Sequence, residues 1–428
     1  MKIVKNTNSL KRKDLDNLLS RSDQDLASAE TTVKKILVDI QTNGDSALMA
    51  YTKKFDCPTP KALRVAPEDL QAALQACAPD LVATIQEAAD NIRSFHKEQR
   101  EETWWTEPRP GVKLGQKITP LDRVGLYIPG GKAAYPSTVL MTAIPAQVAG
   151  VQEIAIVSPP GKDGEIHPVI LATAAILGIE EVYRVGGAQA IAALAYGTET
   201  IESVDKIVGP GNLYVALAKK EVFGRVDIDM IAGPSEIAII ADDTANPSFV
   251  AADLLSQAEH DERAASVLIT TSEKLAEKVQ DEIETQLKEL DRVSIMEESL
   301  KTYGTIFITD TLEEAVRISN LLAPEHLELQ MADPMKWVPL IRHAGAIFIG
   351  PYTPEPIGDY FAGPNHTLPT SGTARFASPL GTYDYCKRSS LLFYDQTALS
   401  AVSKRVAAFA REEGLDAHAN AIERRAES

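Results

Sequence analysis

Cysteine is scarce in this chain. Its 428 residues include three, Cys57, Cys77 and Cys386, far apart and without C-x-x-C spacing, which argues against a disulfide framework and against a thiolate zinc site. Any bound metal would need nitrogen and oxygen ligands. Basic charge is also short: 43 Lys and Arg stand against 60 Asp and Glu, for a formal net charge of −17. Such a surface repels a phosphate backbone and no basic run with interleaved aromatics offsets it, so nucleic acid is not an expected partner. Long apolar runs are missing too. None approaches the roughly 18–20 uncharged residues that cross a bilayer, and no membrane partner is expected. The stretch Met1-Lys2-Ile3-Val4-Lys5-Asn6 has neither the apolar core of a signal peptide nor the Arg- and Ser-rich character of a transit peptide, which points to the cytoplasm.

What is present is the composition of an ordinary globular enzyme, 44% apolar and 24% charged. The length predicts two to four domains of about 100–200 residues. The first 28 residues are polar and are expected to form a small arm. After them Val33, Ile36, Leu37 and Ile40 make a stripe at helical spacing that stops at Asn43-Gly44, and Pro67–Cys77 and Pro79–Lys97 each open on a proline suited to a first helical turn. Between about 120 and 270, β-like runs alternate with helical segments: Val124–Ile128, Ile154–Val157, Val182–Val185, Lys206–Val208, Ile237–Ala241 and Ser266–Thr270. Alternation of this kind predicts a mostly parallel sheet. It resumes with Thr305–Thr309, the helix Thr311–Leu322 and Gly345–Ile349, and two such sheets suit the length better than one. Beyond about Pro379 the helices Leu399–Glu413 and Ala417–Arg425 have little apolar surface and are expected to lie on another surface, such as a partner subunit.

Three glycine-rich turns stand where a strand gives way to a helix: Tyr127-Ile128-Pro129-Gly130-Gly131, Gly186-Gly187-Ala188-Gln189 and Gly209-Pro210-Gly211-Asn212-Leu213-Tyr214. The third fails the G-x-G-x-x-G fingerprint, because Tyr214 stands where the third glycine would allow close helix packing. Together the turns suggest an extended ligand bound in a non-standard way. Chemistry-bearing groups cluster elsewhere. Gln257 and His260 are three apart at a helix end and can face one small object such as a metal ion, although a polar helix end is the plainer reading of that segment alone. Glu325-His326 pairs two bases of different strength. Asp359 and His366 lie in a Gly- and Pro-rich loop, and Glu413 and His418 join the two tail helices.

Taken together these segments resemble the histidinol dehydrogenase family over nearly the whole chain. The match runs from Asn43–Leu48 and Tyr51–Asp56 through Val124–Gly131, Val185–Ala193, Val208–Asn212, Ala232–Glu236, Ser256–His260, Pro324–Leu327, Gly358–Thr370 and Glu413–His418. The resemblance implies an α/β fold of two incomplete Rossmann-like domains with mostly parallel sheets, small N-terminal and C-terminal helical arms, and an intertwined homodimer. Its expected parts are an arm at 1–28, a first α/β domain at 29–122 and 237–378 carrying most of the metal and catalytic site, an inserted domain at 123–236 contacting NAD, and an arm at 379–428 completing the partner subunit's site. It further implies one Zn²⁺ per subunit on Gln257, His260, Asp359 and His418, a donor set that suits that ion. Glu325 and His326 would be catalytic, Ser235 and Glu413 would contact substrate together with those six residues, and Tyr127, Gln189 and Asn212 would contact NAD. The implied reaction takes L-histidinol, two NAD⁺ and water through a bound aldehyde to L-histidine and two NADH, the last step of histidine biosynthesis. His366 has no role in this scheme and is expected to be structural or to support the site. Another small alcohol as substrate, or a non-catalytic binding protein on the same scaffold, remain the alternatives.

Overall fold

A computed structural model describes residues 1–5, 7–19, 26–59, 61–130 and 134–426. Two parallel sheets dominate it. In the smaller, five strands run in the order Glu181–Arg184, Glu153–Ser158, Arg123–Tyr127, Lys206–Val208, Asp227–Ile228. In the larger, six run in the order Lys2–Val4, Thr305–Ile308, Ala265–Thr270, Glu236–Ala241, His326–Gln330, Ala346–Ile349. All residues of Glu236–Ala241 and of Ala265–Thr270 are buried, as expected of central parallel strands covered on both faces. The predicted strands are found with ends shifted by a residue at most, and the fold is mixed α/β with mostly parallel sheets, as expected.

In each sheet the strand that comes first among its central members is flanked on both sides by later ones. That creates a switch point, where neighbouring connections leave toward opposite faces and open a crevice. In the smaller sheet the switch lies between Arg123–Tyr127 and Lys206–Val208, in the larger between Glu236–Ala241 and His326–Gln330.

Three features depart from expectation. The helices between 29 and 97 were grouped with the six-stranded sheet, but their apolar faces pack on the five-stranded one. Val33, Ile36, Leu37 and Ile40 share a core with Ile191, Leu194 and Leu217, and Leu70, Ile85 and Ile92 share one with Val124, Leu126 and Ile144. The stripe does end at Gly44, as expected: two helices meet there within Leu26–Phe55, where Gly44 takes the non-helical φ 52°, and a Cβ there would come within 2.3 Å of Glu199 Oε2. Secondly, the segment expected as a helical arm begins with the edge strand Lys2–Val4, whose β-branched Ile3 and Val4 suit a pleated edge. Its following turns dock on this chain's own helix Leu312–Leu322, with Thr7 Oγ1 donating to Glu314 Oε1 at 2.5 Å and Arg317 donating to the carbonyls of Thr7 and Leu10; residues 20–25 lie outside the described ones. Thirdly, the region after 379 is not purely helical. Cys386–Tyr394 pairs antiparallel with Val112–Pro120, which also pairs Trp104–Arg109. The expected helix Leu399–Glu413 is broken into Gln396–Ser400 and Ser403–Glu412, while the last helix runs Asp416–Ala426. Among the described residues no helix is long and apolar enough to cross a membrane.

Candidate active site

The larger sheet gathers its polar groups at the edge where its strands begin, which is not the edge that open α/β sheets usually offer. Glu325 and His326 enter the strand His326–Gln330, and Ser235 immediately precedes Glu236–Ala241. His326 is registered opposite Ile237 on one side and Ala346 on the other, so its position is set by two ladders. The helix Pro247–Ala258, capped by the Asn246 side chain, runs back and delivers Gln257 and His260 to the same edge. Its apolar face, Val250, Ala251, Leu254, Leu255 and Ala258, is packed in the core. The short helix Glu355–Tyr360 supplies Asp359.

The hydrogen bonds define the state of His326. Its Nδ1 lies 3.0 Å from Gln257 Oε1 and 3.1 Å from the Glu236 carbonyl, both acceptors, so Nδ1 carries the proton. Nε2 is left with its lone pair, buried and without a hydrogen-bond partner, 3.9 Å from Asp359 Oδ1 and 4.0 Å from Glu355 Oε1. Burial holds the imidazole below its ordinary pKa, so it is an uncharged base at neutral pH. Glu325 accepts the Glu236 N–H at 3.0 Å, and burial, reinforced by Glu236, raises its carboxyl well above the usual range. Burial also pushes Asp359 up to about 9, with Glu355 adding charge repulsion and a hydrogen bond to the neutral form.

His326, Glu355 and Asp359 offer ligand atoms all within 4.8 Å of one another. Glu355, only 2% exposed, was not singled out from the sequence. The available signal was its spacing: four residues before Asp359, it shares a helix face with it. Of the expected ligands, Gln257 and Asp359 lie at this cluster and the field of exposed His260 is felt at His326. Gln257 Nε2 is buried without a partner. His418 and Glu413 are elsewhere, exposed on the tail. His366 donates from Nδ1 to the Asp359 carbonyl at 3.1 Å, and burial lowers its pKa to about 4, so it props the backbone of a site residue as a neutral ring.

The three expected cofactor residues stand at the strand ends of the smaller sheet. Tyr127 closes Arg123–Tyr127, buried, with its hydroxyl accepting the Gly187 N–H at 3.1 Å. Gln189 is in the first turn of Gly187–Tyr196. Asn212 caps Leu213–Val222, its Oδ1 accepting from Tyr214 and Val215 N–H at 3.0 and 3.2 Å. Tyr127 and Asn212 thus flank the switch-point crevice from its two strands.

Comparison with known proteins agrees with this picture. The family model described as histidinol dehydrogenase matches residues 19–426. The histidinol dehydrogenase of Halalkalibacterium halodurans is 56% identical over 398 residues, 93% of this chain and 94% of that protein. That of Bacillus subtilis is 55% identical over 394 residues, covering 92% of each. The crystal structure of histidinol dehydrogenase from Elizabethkingia anophelis superposes with a TM-score of 0.94 at 40% identity, covering all of this chain and 98% of that one. With a buried base, an adjoining carboxyl and a nitrogen–oxygen ligand cluster in a chain matched from end to end, this protein belongs to the histidinol dehydrogenase family.

Proposed function

We propose that the site oxidises L-histidinol to L-histidine in two NAD-linked steps, with an aldehyde held between them, and so closes histidine biosynthesis. One observation carries this reading: a buried imidazole lone pair, His326 Nε2, faces the acidic pair Asp359 and Glu355 with Glu325 beside it. His326 Nε2 takes the alcohol proton as hydride leaves for the cofactor. Glu325, a stronger base for being held out of water, takes a proton from the water that adds to the aldehyde. His326 then serves again in the second oxidation.

The residues fit a zinc ion. The Asp359 and Glu355 carboxyl groups, packed together, hold a proton that a cation would replace, and the Gln257 side chain lies at the same cluster with its Nε2 unpartnered. Gln257, His260 and Asp359 would hold it together with His418 of the partner subunit, and when bound it would supply a Lewis acid that anchors the substrate's nitrogens. Ser235 and Glu413 would contact substrate, and Tyr127, Gln189 and Asn212 would hold NAD. Exchange of the tail within a homodimer is supported by exposed apolar side chains that a single subunit leaves uncovered, among them Phe409 at 70%, Leu392 at 72% and Trp105 at 53%. The test is the yield of NADH from limiting L-histidinol, before and after chelation. Two per substrate, abolished by chelator and restored by Zn²⁺, is the expected result. One per substrate with released aldehyde would overturn the role of Glu325, and no turnover by the metal-loaded protein would overturn the substrate.

A further inference from the structure

Asp56 follows the helix Leu26–Phe55 and is partly buried. Gln189 Nε2 donates to its Oδ2 at 3.1 Å, and the Gly186 N–H donates to the same carboxylate. The next amide, Gly187 N–H, donates to the Tyr127 hydroxyl. These amides open the helix Gly187–Tyr196, so two of the donors that a helix start would offer a phosphate are spent on the chain's own oxygens, and a carboxylate stands beside them. Gly187 has φ +63°, and a Cβ on it would sit 2.7 Å from Gln189 Oε1, so glycine leaves room for that oxygen. A carboxylate only accepts, and Asp56 therefore fixes which end of the amide is Nε2 and leaves Oε1 as the end for a ligand.

We propose that Asp56 is a positioning residue for the dinucleotide, orienting Gln189 so that Oε1 accepts from a hydroxyl or amide of NAD and not from its phosphates. This rests on the reading of Gln189 as a cofactor contact. The test compares Asp56→Ala, Gln189→Ala and the double variant in the zinc-loaded enzyme at pH 8, by NADH fluorescence titration and by initial rates against NAD⁺. Asp56→Ala is expected to raise the Kd for NADH and the KM for NAD⁺ about tenfold, or about 1.4 kcal/mol, with kcat and the KM for histidinol within twofold. Gln189→Ala should match it, and the double variant should be no worse than the weaker single, since both remove one contact. Independent, multiplying effects overturn the proposal. So does a normal Asp56→Ala beside an impaired Gln189→Ala. A normal Gln189→Ala instead overturns the assignment of Gln189 beneath it. If Asp56→Ala fails to fold, Asp56→Asn decides: it has one acceptor for two donors and should weaken binding by a smaller factor, and unchanged binding overturns the proposal.

Discussion

The junction between the two central strands of the smaller sheet sets a stringent steric requirement, which Gly209→Ala would probe. Gly209 takes φ +121°, and a Cβ there would lie 2.1 Å from the Tyr127 carbonyl oxygen and 3.1 Å from its carbon. Reaching ordinary contact distance would move the end of one strand by roughly 1 Å against a neighbour to which it is hydrogen-bonded. The turn cannot yield easily, because Asp229 accepts the Gly209 N–H at 2.8 Å and Lys219 donates to its carbonyl at 3.0 Å, the two side chains being a buried ion pair. Backbone strain contributes about 1–3 kcal/mol and disturbed hydrogen bonds about 1–2 more. The sum, about 2–5 kcal/mol, corresponds to a fall in Tm of about 4–10 °C. Gly224→Ala is the control. It shares a positive φ of +99° but has nothing within 4 Å of its Cβ position, so it should carry only the backbone cost. Differential scanning of both variants with wild type isolates the steric part. If Gly209→Ala melts within a degree of Gly224→Ala, the close approach to Tyr127 constrains nothing and the reasoning fails.

Replacing His326 by Asn should lower kcat about 10²–10⁴-fold with a smaller change in KM; loss under tenfold in an NADH assay would remove it as the base. Mixing a His326→Ala chain with a His418→Ala chain, each inactive alone, should recover roughly a quarter of wild-type activity if tails are exchanged in a dimer, and none if each site is built from one chain. Acid should destabilise the protein through His96. Its ring is fully buried, hydrogen-bonded to Gln99 at 2.7 Å, and burial holds its pKa below the ordinary value. The unfolded chain then binds the proton more readily, so stability present above about pH 6.5 is lost as pH falls below it. A His96→Gln variant should show a flatter Tm between pH 7 and 5, and a slope equal to wild type would exclude the histidine as the cause.

Burial on both faces is what made the sheets legible. Ile237–Ala241 and Ser266–Thr270 could be read as strands because every residue there faces packed protein and the chain can only be apolar. Cys386–Tyr394 could not, because its residues are mostly exposed and its partner strand lies more than 260 positions earlier, so neither composition nor local spacing marks it. The helix stripes were read correctly as stripes but assigned to the wrong sheet, since Val33, Ile36 and Ile40 state that a face is buried and not against what. At the site, Gln257, Glu325, His326 and Asp359 were named from their motifs, and the structure sets His326 within reach of the other three. Glu355 is not legible in the sequence because a carboxylate between two prolines reads as surface turn; only the fold shows that it is sealed against Asp359.

The strand Lys2–Val4 bears on how the chain is made. The smaller sheet draws all its strands from residues 123–228 and can close while later residues are still being synthesised. The larger sheet has its earliest strand waiting for Thr305–Ile308, and the hydrogen bond that locks this edge, from Thr7 to Glu314, spans 307 positions. Closing a loop of that length is slow, and its strands are exposed meanwhile to wrong partners. Production of the protein therefore has its most hazardous interval between the completion of the two sheets, when one is finished and the site-bearing one still lacks its edge strands.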